Sequence, residues 1–548
     1  MSDTVPHSAA PSRRPTVLLA LFSLALGLRL LGLAWGAPER VDMHPDEHQL
    51  VVDIAMKIDR SHLDLHYPGY PSFFYYLIAG SMGILHRAGL MMEPWQPYII
   101  ARLISALCGA ATCLVAFFIA EKAGARLLGA ALAGLWVAIL PVHVWESHVA
   151  VTDVLMTFWI SVALLLALRL LDSDRMRDYA LTGAAAGLAV GAKYTALLVL
   201  AAPVAAMLLA RRPWRPLLRG LAVTAAGAVL CCFLVTPFSF LEPETTVAGI
   251  RHEYEHVHGS HLGFSIAAPG WQYHRYVYQL AAAFPFSFGI ALYGLSLAAV
   301  ARAAWRRRPA ELVLLAFAAL YFAVTGSWSF TPLRYYLPIE IAILPVAALE
   351  QERWLTKPRP HRWPLPPLIV AGALAYTLIF TYQTTARYTN DTRIQAAHWC
   401  NRLLPKHSRV AILGFQPYHA RLSRDVYIVH QFEDIHVASP HLFADYDLVQ
   451  LSSLNYDRAY RDQLPLAAAY DLVRHGAQGY RLVSRFTASF LNQDHYRKLD
   501  PMFAGYFLSP TIELYTSKER LPRLEQLARD AGLPPLRATL GGARGAAP

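Results

Sequence analysis

The fold class the sequence predicts is an α-helical polytopic membrane protein of about eleven crossings with a soluble α/β domain at its C-terminus. Three observations predict it. Of 548 residues, 55% are hydrophobic and only 16% are charged, a balance foreign to soluble globular enzymes. Apolar runs long enough to cross a bilayer recur up to about residue 386. From about Tyr388 the chain turns polar and mixed.

The runs lie at roughly residues 16–36, 99–120, 127–142, 154–171, 179–192, 194–210, 217–236, 276–300, 311–326, 333–350 and 365–383. Thr16 to Trp35 reads as an uncleaved first helix, because no small-residue cleavage site ends it and further spans follow. Basic clusters occur at Arg13/Arg14, Lys122/Arg126, Arg175/Arg177, Arg211/Arg212/Arg215/Arg219, Arg302/Arg306/Arg307/Arg308 and Arg353/Lys357/Arg359/Arg362. With a cytoplasmic N-terminus and eleven crossings, every cluster falls inside, as the positive-inside tendency asks. The run Tyr70 to Leu85 is the ambiguous one, since counting it would put the arginines near Arg306 outside. Residues 45–95 therefore read as amphipathic and re-entrant segments at the outer face, interrupted by Pro68 and Pro71. The transmembrane part is residues 1–386, with a large first outer loop at 37–98 and a lid-like outer loop at 237–275.

Residues 387–540 are long enough for an independent domain. A helix-like Ile394 to Leu404 precedes β-rich runs at Arg409–Leu413, Asp425–His430, Tyr446–Leu451, Tyr480–Val483 and Thr511–Tyr515, which suggests an α/β module. Eleven crossings put it outside, in the periplasm of a cell whose inner membrane holds the rest. Residues 541–548 read as a disordered tail.

The net charge of +11 does not point to nucleic acid, because the arginines sit in short clusters between apolar runs. Cys108, Cys113, Cys231 and Cys232 lie inside apolar runs and Cys400 alone lies in the tail, so neither a disulfide framework nor a cysteine zinc site is available.

The candidate chemistry gathers at the outer ends of the spans. Met43-His44-Pro45-Asp46-Glu47-His48 places two adjacent carboxylates just beyond the first span. Ionisable groups at a membrane face are functional by default, and such a carboxylate can act as a general base or ligate a divalent metal. The competing reading is that Asp46 caps a helix over Glu47–Ile58. Asp153 stands at the outer start of the fourth run, as a second acid or as an N-cap. Lys193, in the short outer turn Gly191-Ala192-Lys193-Tyr194, runs against the positive-inside tendency; it reads as a phosphate partner or as a side chain snorkelling to headgroups. Arg334, in Pro332-Leu333-Arg334-Tyr335-Tyr336-Leu337-Pro338, is a phosphate clamp or a helix anchor. The outer loop adds Arg251, Arg275, Glu253, Glu255 and several histidines. His252 and His256 have a zinc-compatible spacing, although polar lining is the commoner use, and a lid closing over a phosphate with Arg251 and Arg275 is favoured. His44, His148, Tyr194, His256 and His261 are expected to line the acceptor side or the lid. No phosphate-binding glycine loop, dinucleotide fingerprint or serine elbow is present.

In order along residues 16–350, these segments resemble the GT-C superfamily of polyprenyl-phosphate-sugar-dependent glycosyltransferases. They are most like the bacterial members grouped with protein O-mannosyltransferases and lipid A aminoarabinose transferases. The resemblance rests on Asp46-Glu47 followed by His66-Tyr67-Pro68-Gly69-Tyr70-Pro71, on Asp153 before a span, on the glycine-rich helix Gly187 to Tyr194 ending in lysine, and on Arg334 to Pro338. Asn390-Asp391-Thr392-Arg393, Trp399 and Pro510-Thr511-Ile512-Glu513-Leu514-Tyr515 resemble the outer domain of bacterial members. The resemblance implies an inverting displacement with Asp46 as base, Glu47 and Asp153 positioning the acceptor or the base, and Lys193, Arg251, Arg275 and Arg334 meeting the donor phosphate. It also implies a polyprenyl-phosphate sugar donor, a lipid, glycan or protein acceptor, and no required cofactor, with a divalent metal left open. A transporter or flippase of lipid-linked substrates is the rival reading. Against it, the acids cluster at the outer edge and the two halves of the chain do not repeat.

Overall fold

The computed structural model describes residues 13–540 apart from 59–62, 66, 68, 91–92, 260–273, 331, 358–364, 434–441, 476–478, 494, 497–508, 535 and 537–538. A helical body comes first. It comprises α1 (Arg14–Leu30), a π-helical turn Asp46–Val52 running into α2 (Asp53–Ala55), α3 (Phe73–Arg87), α4 (Gln96–Lys122), α5 (Leu127–Ala138), α6 (Pro141–Glu146), α7 (Thr152–Arg169) and α8 (Met176–Ala192). A 3-10 segment, Tyr194–Leu200, leads to α9 (Ala201–Leu209), α10 (Trp214–Val235), α11 (Phe238–Leu241) and α12 (Pro243–His258). Then come α13 (Phe284–Phe288), α14 (Ile290–Arg306), α15 (Pro309–Thr325), a 3-10 turn Leu333–Tyr336, α16 (Leu337–Thr356) and α17 (Leu365–Thr385).

Among the described residues, four helices are long and apolar enough to cross a bilayer: α4, α7, α10 and the continuous Leu365–Leu403 that begins with α17. Counting the bent pair Gln279–Phe288 and Ile290–Arg306 makes five. The eleven expected crossings exceed this because several apolar runs fall on shorter or broken helices. The run at 276–300 folds back by 116° at Gly289, whose φ of +75° suits a residue without Cβ. The run at 127–142 stops at Ala138 and restarts at Pro141, and the run from Tyr194 opens in 3-10 form. Tyr70–Leu85, expected as an interrupted segment, yields one regular 15-residue helix, α3, with Pro71 just before it.

Two packing features hold the body. Gly183 and Gly187, one turn apart on α8, let the backbone of α10 come so close that a Cβ at either would collide with the carbonyl oxygen of Thr224 or Ala228. Arg29, fully buried in α1, donates to the carbonyls of Val137 and Ala138, each at 3.2 Å, and so satisfies two orphan groups at the end of α5. The basic clusters meet at one end of the bundle, through Arg14–Glu121 at 2.7 Å, Lys122–Asp172 at 2.6 Å, Arg306–Glu350 at 2.5 Å and Arg353–Glu311 at 2.6 Å. The opposite helix ends carry Asp153, Lys193 and Arg334.

The C-terminal part begins with α18 (Thr392–Leu403), capped by Asp391 Oδ1 accepting from the Arg393 N–H. Its strands are β1 (Arg409–Leu413), β2 (Ile428–Phe432), β3 (Leu448–Ser452), β4 (Tyr480–Phe486), β5 (Ile512–Ser517) and β6 (Thr539–Leu540), flanked by α19 (Ser453–Arg461), α20 (Leu466–Arg474) and α21 (Leu521–Asp530). The sheet order is β2-β1-β3-β5-β4-β6. β1 pairs in parallel with β2 and β3, and the other pairings are antiparallel. Helices of this part cover both faces, giving two separate apolar clusters.

This domain grips the loop before Asp46. Arg393 pairs side by side with Asp391 (Nε–Oδ1 3.0 Å, Nη2–Oδ2 2.8 Å) and donates through Nη1 to the Met43 carbonyl at 3.1 Å. Trp35 Nε1 donates to Asp391 Oδ2 at 3.0 Å, and Arg40 donates to the carbonyls of His419 and Pro417.

Candidate active site

The two adjacent carboxylates of the first loop face different surroundings. Glu47 is fully buried and clasped by Arg102 of α4, Nε to Oε1 and Nη2 to Oε2, each at 2.7 Å. Its Oε1 also accepts from the Ala150 N–H at 2.9 Å. Arg102 in turn donates to the Trp35 carbonyl at 2.7 Å and lies over the Trp35 ring. Glu47 therefore ties the first loop to the segment leading into α7, three residues before Asp153. Asp46 keeps 27% of its side chain exposed. Its helix-capping reading does not hold: Asp46 opens the π-helical turn after Pro45, and no side-chain cap forms.

Arg334 sits in the 3-10 turn that starts α16 and joins the two acids. Its Nη2 donates to Asp46 Oδ2 at 2.5 Å, and its Nε lies 3.4 Å from Asp153 Oδ2. Lys193, extended between α8 and the 3-10 segment, donates to Asp153 Oδ1 at 2.7 Å. The Lys193 ammonium lies 4.2 Å from the ring centre of Tyr335 and 5.6 Å from that of Tyr70. Asp46, Asp153, Lys193 and Arg334 thus form one network from four segments far apart in sequence, with Asp46 its most exposed member and Asp153 only 3% exposed.

Burial alone would push the Asp46 carboxyl up, but the Arg334 guanidinium, with His44 and Lys193, more than offsets it and holds the group below the ordinary aspartate value. Glu146, at the end of α6, is pushed up to about 7 by burial; Arg334 opposes the rise, while Asp153 and Asp46 add to it. His44 is driven down to about 4, first by burial, and is neutral at pH 7.

The lid-like loop contributes through α12. The Val257 carbonyl accepts from the N–H groups of Ser329 and Phe330 at 2.8 and 3.1 Å, and Val257 packs with Trp328, Phe330 and Tyr335. Glu253 of α12 is close enough to Lys193 and Asp46 to feel their charges. The expected phosphate-clamping arginines of this loop are elsewhere. Arg251 is exposed and pairs with Glu255 one turn away at 2.9 Å, a solvated helix-face pair, and Arg275 is exposed and donates to Ser329 Oγ at 3.1 Å. His256 meets the Phe330 ring. His148 is fully buried and stacked on Tyr388, with one ring nitrogen 2.8 Å from the Val144 carbonyl oxygen and the other 2.9 Å from that of Leu31, so it belongs to the packing. Tyr194 lies beside Ser239 and Tyr70 in a hydroxyl-lined recess. His261, and His66 and Pro68 of the aromatic and proline stretch, lie outside the described residues. Among the described residues, no group of three or more His, Cys, Asp or Glu is arranged to hold a metal, and His252 stacks with His256. Arg102, Glu146 and Tyr335 are the site's unforeseen members; the signal for Arg102 was an arginine isolated within an apolar run.

Residues 86–245 match the family model described as dolichyl-phosphate-mannose-protein mannosyltransferase. No curated protein matches the chain in sequence. In structure the chain is similar to ArnT from Cupriavidus metallidurans bound to undecaprenyl phosphate, at 17% identity and a TM-score of 0.50, covering 74% of this chain and 83% of that one. The apo state of the same protein aligns over 92% of this chain and 98% of that one, at 15% identity and a TM-score of 0.50. The chain shares its fold with this protein. The looser likeness to the oligosaccharyltransferase AglB from Archaeoglobus fulgidus has a TM-score of 0.44 at 13% identity, over 88% of this chain and 74% of that one. The shared architecture is mostly helical, followed by a C-terminal sheet.

Proposed function

We propose that this chain is a GT-C-type glycosyltransferase that transfers a sugar from a polyprenyl-phosphate-linked donor to a lipid, glycan or protein acceptor at the outer face of the bacterial inner membrane. The N-terminus is cytoplasmic, the chain crosses about eleven times with its shorter helices included, and residues 387–540 lie outside. The observation that carries this reading is the network at one end of the bundle in which Arg334 bridges Asp46 and Asp153 while Lys193 holds Asp153. A guanidinium and an ammonium beside the most exposed carboxylate suit a reaction in which phosphate leaves and a hydroxyl must lose a proton.

In this reaction the acceptor oxygen attacks the anomeric carbon from the face opposite the phosphate. The bond from that carbon to the phosphate oxygen breaks with its electron pair, and the configuration inverts. Asp46 takes the hydroxyl proton, while Arg334 and Lys193 turn from their carboxylates toward the phosphate as its second charge develops. Glu47 acts through position only, holding Asp46 by way of Arg102. Tyr335 and Tyr70 flank Lys193 and fix where its ammonium points.

The test is to offer purified protein in lipid a panel of polyprenyl-phosphate sugars with candidate acceptors and follow release of polyprenyl phosphate. At least one donor is turned over with a product of inverted anomeric configuration. A retained configuration, or turnover of nucleotide sugars in place of lipid-linked ones, overturns the reading.

A further inference from the structure

Three carboxyl groups surround Arg334, and they are not equivalent. Asp46 is bound to Arg334, and Asp153 to Lys193 with Arg334 close by. A carboxylate in such a pair resists a proton, because protonation discards the pairing. Glu146 has no such partner. It is 3% exposed, and its Oε2 is buried with no hydrogen-bond partner among the described residues. α6, which carries it, packs against the Arg334 turn and the start of α7. The groups whose charges reach Glu146 are Arg334 of that turn, Asp153 of α7, Asp46 of the first loop and Lys193 after α8. Glu340 of α16 and Tyr388 after α17 also lie within its field. A buried carboxyl oxygen left unpaired is costly unless the site uses it.

We infer that Glu146 is the final proton acceptor of the transfer reaction, with Asp46 as the group that first contacts the acceptor hydroxyl. The inference rests on the function proposed above and deepens it. Before transfer Glu146 is ionised. As the acceptor oxygen bonds to the anomeric carbon and the phosphate leaves with the electron pair, the hydroxyl proton passes to Asp46 and from there to Glu146. Asp46 returns to its ion pair with Arg334, and no proton is made or lost. The charge arithmetic favours this order. Asp46 and Asp153 balance Arg334 and Lys193, so the extra negative charge on the leaving phosphate raises the proton affinity of Glu146, which has no such pair among the described residues, as the bond breaks. The value of about 7 for Glu146 in the resting protein matches a proton acceptor working near neutrality.

Two measurements test this. In the first, release of polyprenyl phosphate from a turned-over donor is followed from pH 5.5 to 8.5, a window set by that value, for wild type, Glu146→Gln and Glu146→Asp. Wild-type turnover falls on the acid side as Glu146 protonates. Glu146→Gln loses that limb and about 10²-fold in kcat at alkaline pH, with little change in donor KM, and Glu146→Asp restores a limb. An unchanged acid limb in Glu146→Gln overturns the inference. In the second, infrared difference spectra of the full-length protein in lipid, with no donor, read the protonated carboxyl stretch. A band that titrates near neutral pH and vanishes in Glu146→Gln is expected, and its absence from a folded wild type overturns the inference. This measurement stands if no donor is turned over, so failure of the proposed function and failure of this inference are told apart.

Discussion

Replacing Glu47 by Gln separates a positioning role from a chemical one. Both members of the Glu47–Arg102 pair are fully buried, and they share two hydrogen bonds of 2.7 Å. The substitution removes a charge from a desolvated pair and leaves the Arg102 guanidinium with carbonyl partners at Leu33 and Trp35 only. Breaking one side of a buried pair costs about 3–5 kcal/mol. Removing both with Glu47→Met/Arg102→Met takes away both charges and leaves the Ala150 N–H and the carbonyls of Leu33 and Trp35 without these partners, a loss of about 1–3 kcal/mol for each group. Reversible unfolding in mixed micelles, run as a double-mutant cycle, should therefore show a loss in the double variant smaller than the sum of the losses in Glu47→Met and Arg102→Met. Turnover in Glu47→Gln should fall because Asp46 is displaced, with the acid limb of the pH profile kept. A Glu47→Gln protein within about 1 kcal/mol of wild type, as for exposed pairs, yet without turnover, would refute the reasoning and make Glu47 a chemical group.

Arg334→Gln and Lys193→Gln should each lower kcat by about 10²–10³ in quenched-flow release assays, whereas Arg251→Ala should stay within about threefold of wild type. Buried neutral imidazoles make the fold acid-sensitive. His44 and His148 go from 6.5 in the unfolded chain to about 4 in the folded one. Their folded values are lowered, so stability is fully present above about pH 6.5 and is lost as pH falls toward 4, by about 3 kcal/mol for each group. Stability measured against pH across that window should show this slope, and His148→Gln should flatten it; a slope unchanged by the substitution would remove His148 from the account.

The candidate site was legible where a charge stood at the outer end of an apolar run. Asp46, Asp153, Lys193 and Arg334 all drew attention because charge there calls for a partner, and the structure pairs them with one another. Pairing across up to 288 residues leaves no local spacing to read, so which charges meet was invisible. Arg251 and Arg275 looked equally eligible by type and loop, but helix phase turns Arg251 to solvent and onto Glu255. Glu146 was passed over because its neighbours read as a connection between spans, and only the packing of α6 against the Arg334 turn strips it of water. The fold shows the same division. Strands such as Arg409–Leu413 stood out by their β-branched, apolar character, whereas the fold-back at Gly289 depends on tertiary packing around Phe286, which contacts Trp145, Phe380 and Tyr496.

The role of Asp46 is the central claim, and the most direct measurement is a single-turnover comparison of wild type with Asp46→Asn, using a donor the wild type accepts and following polyprenyl phosphate release alongside donor binding. The account predicts a rate lowered by about 10²–10⁴ with donor affinity retained. Release at the wild-type rate from folded Asp46→Asn would contradict it.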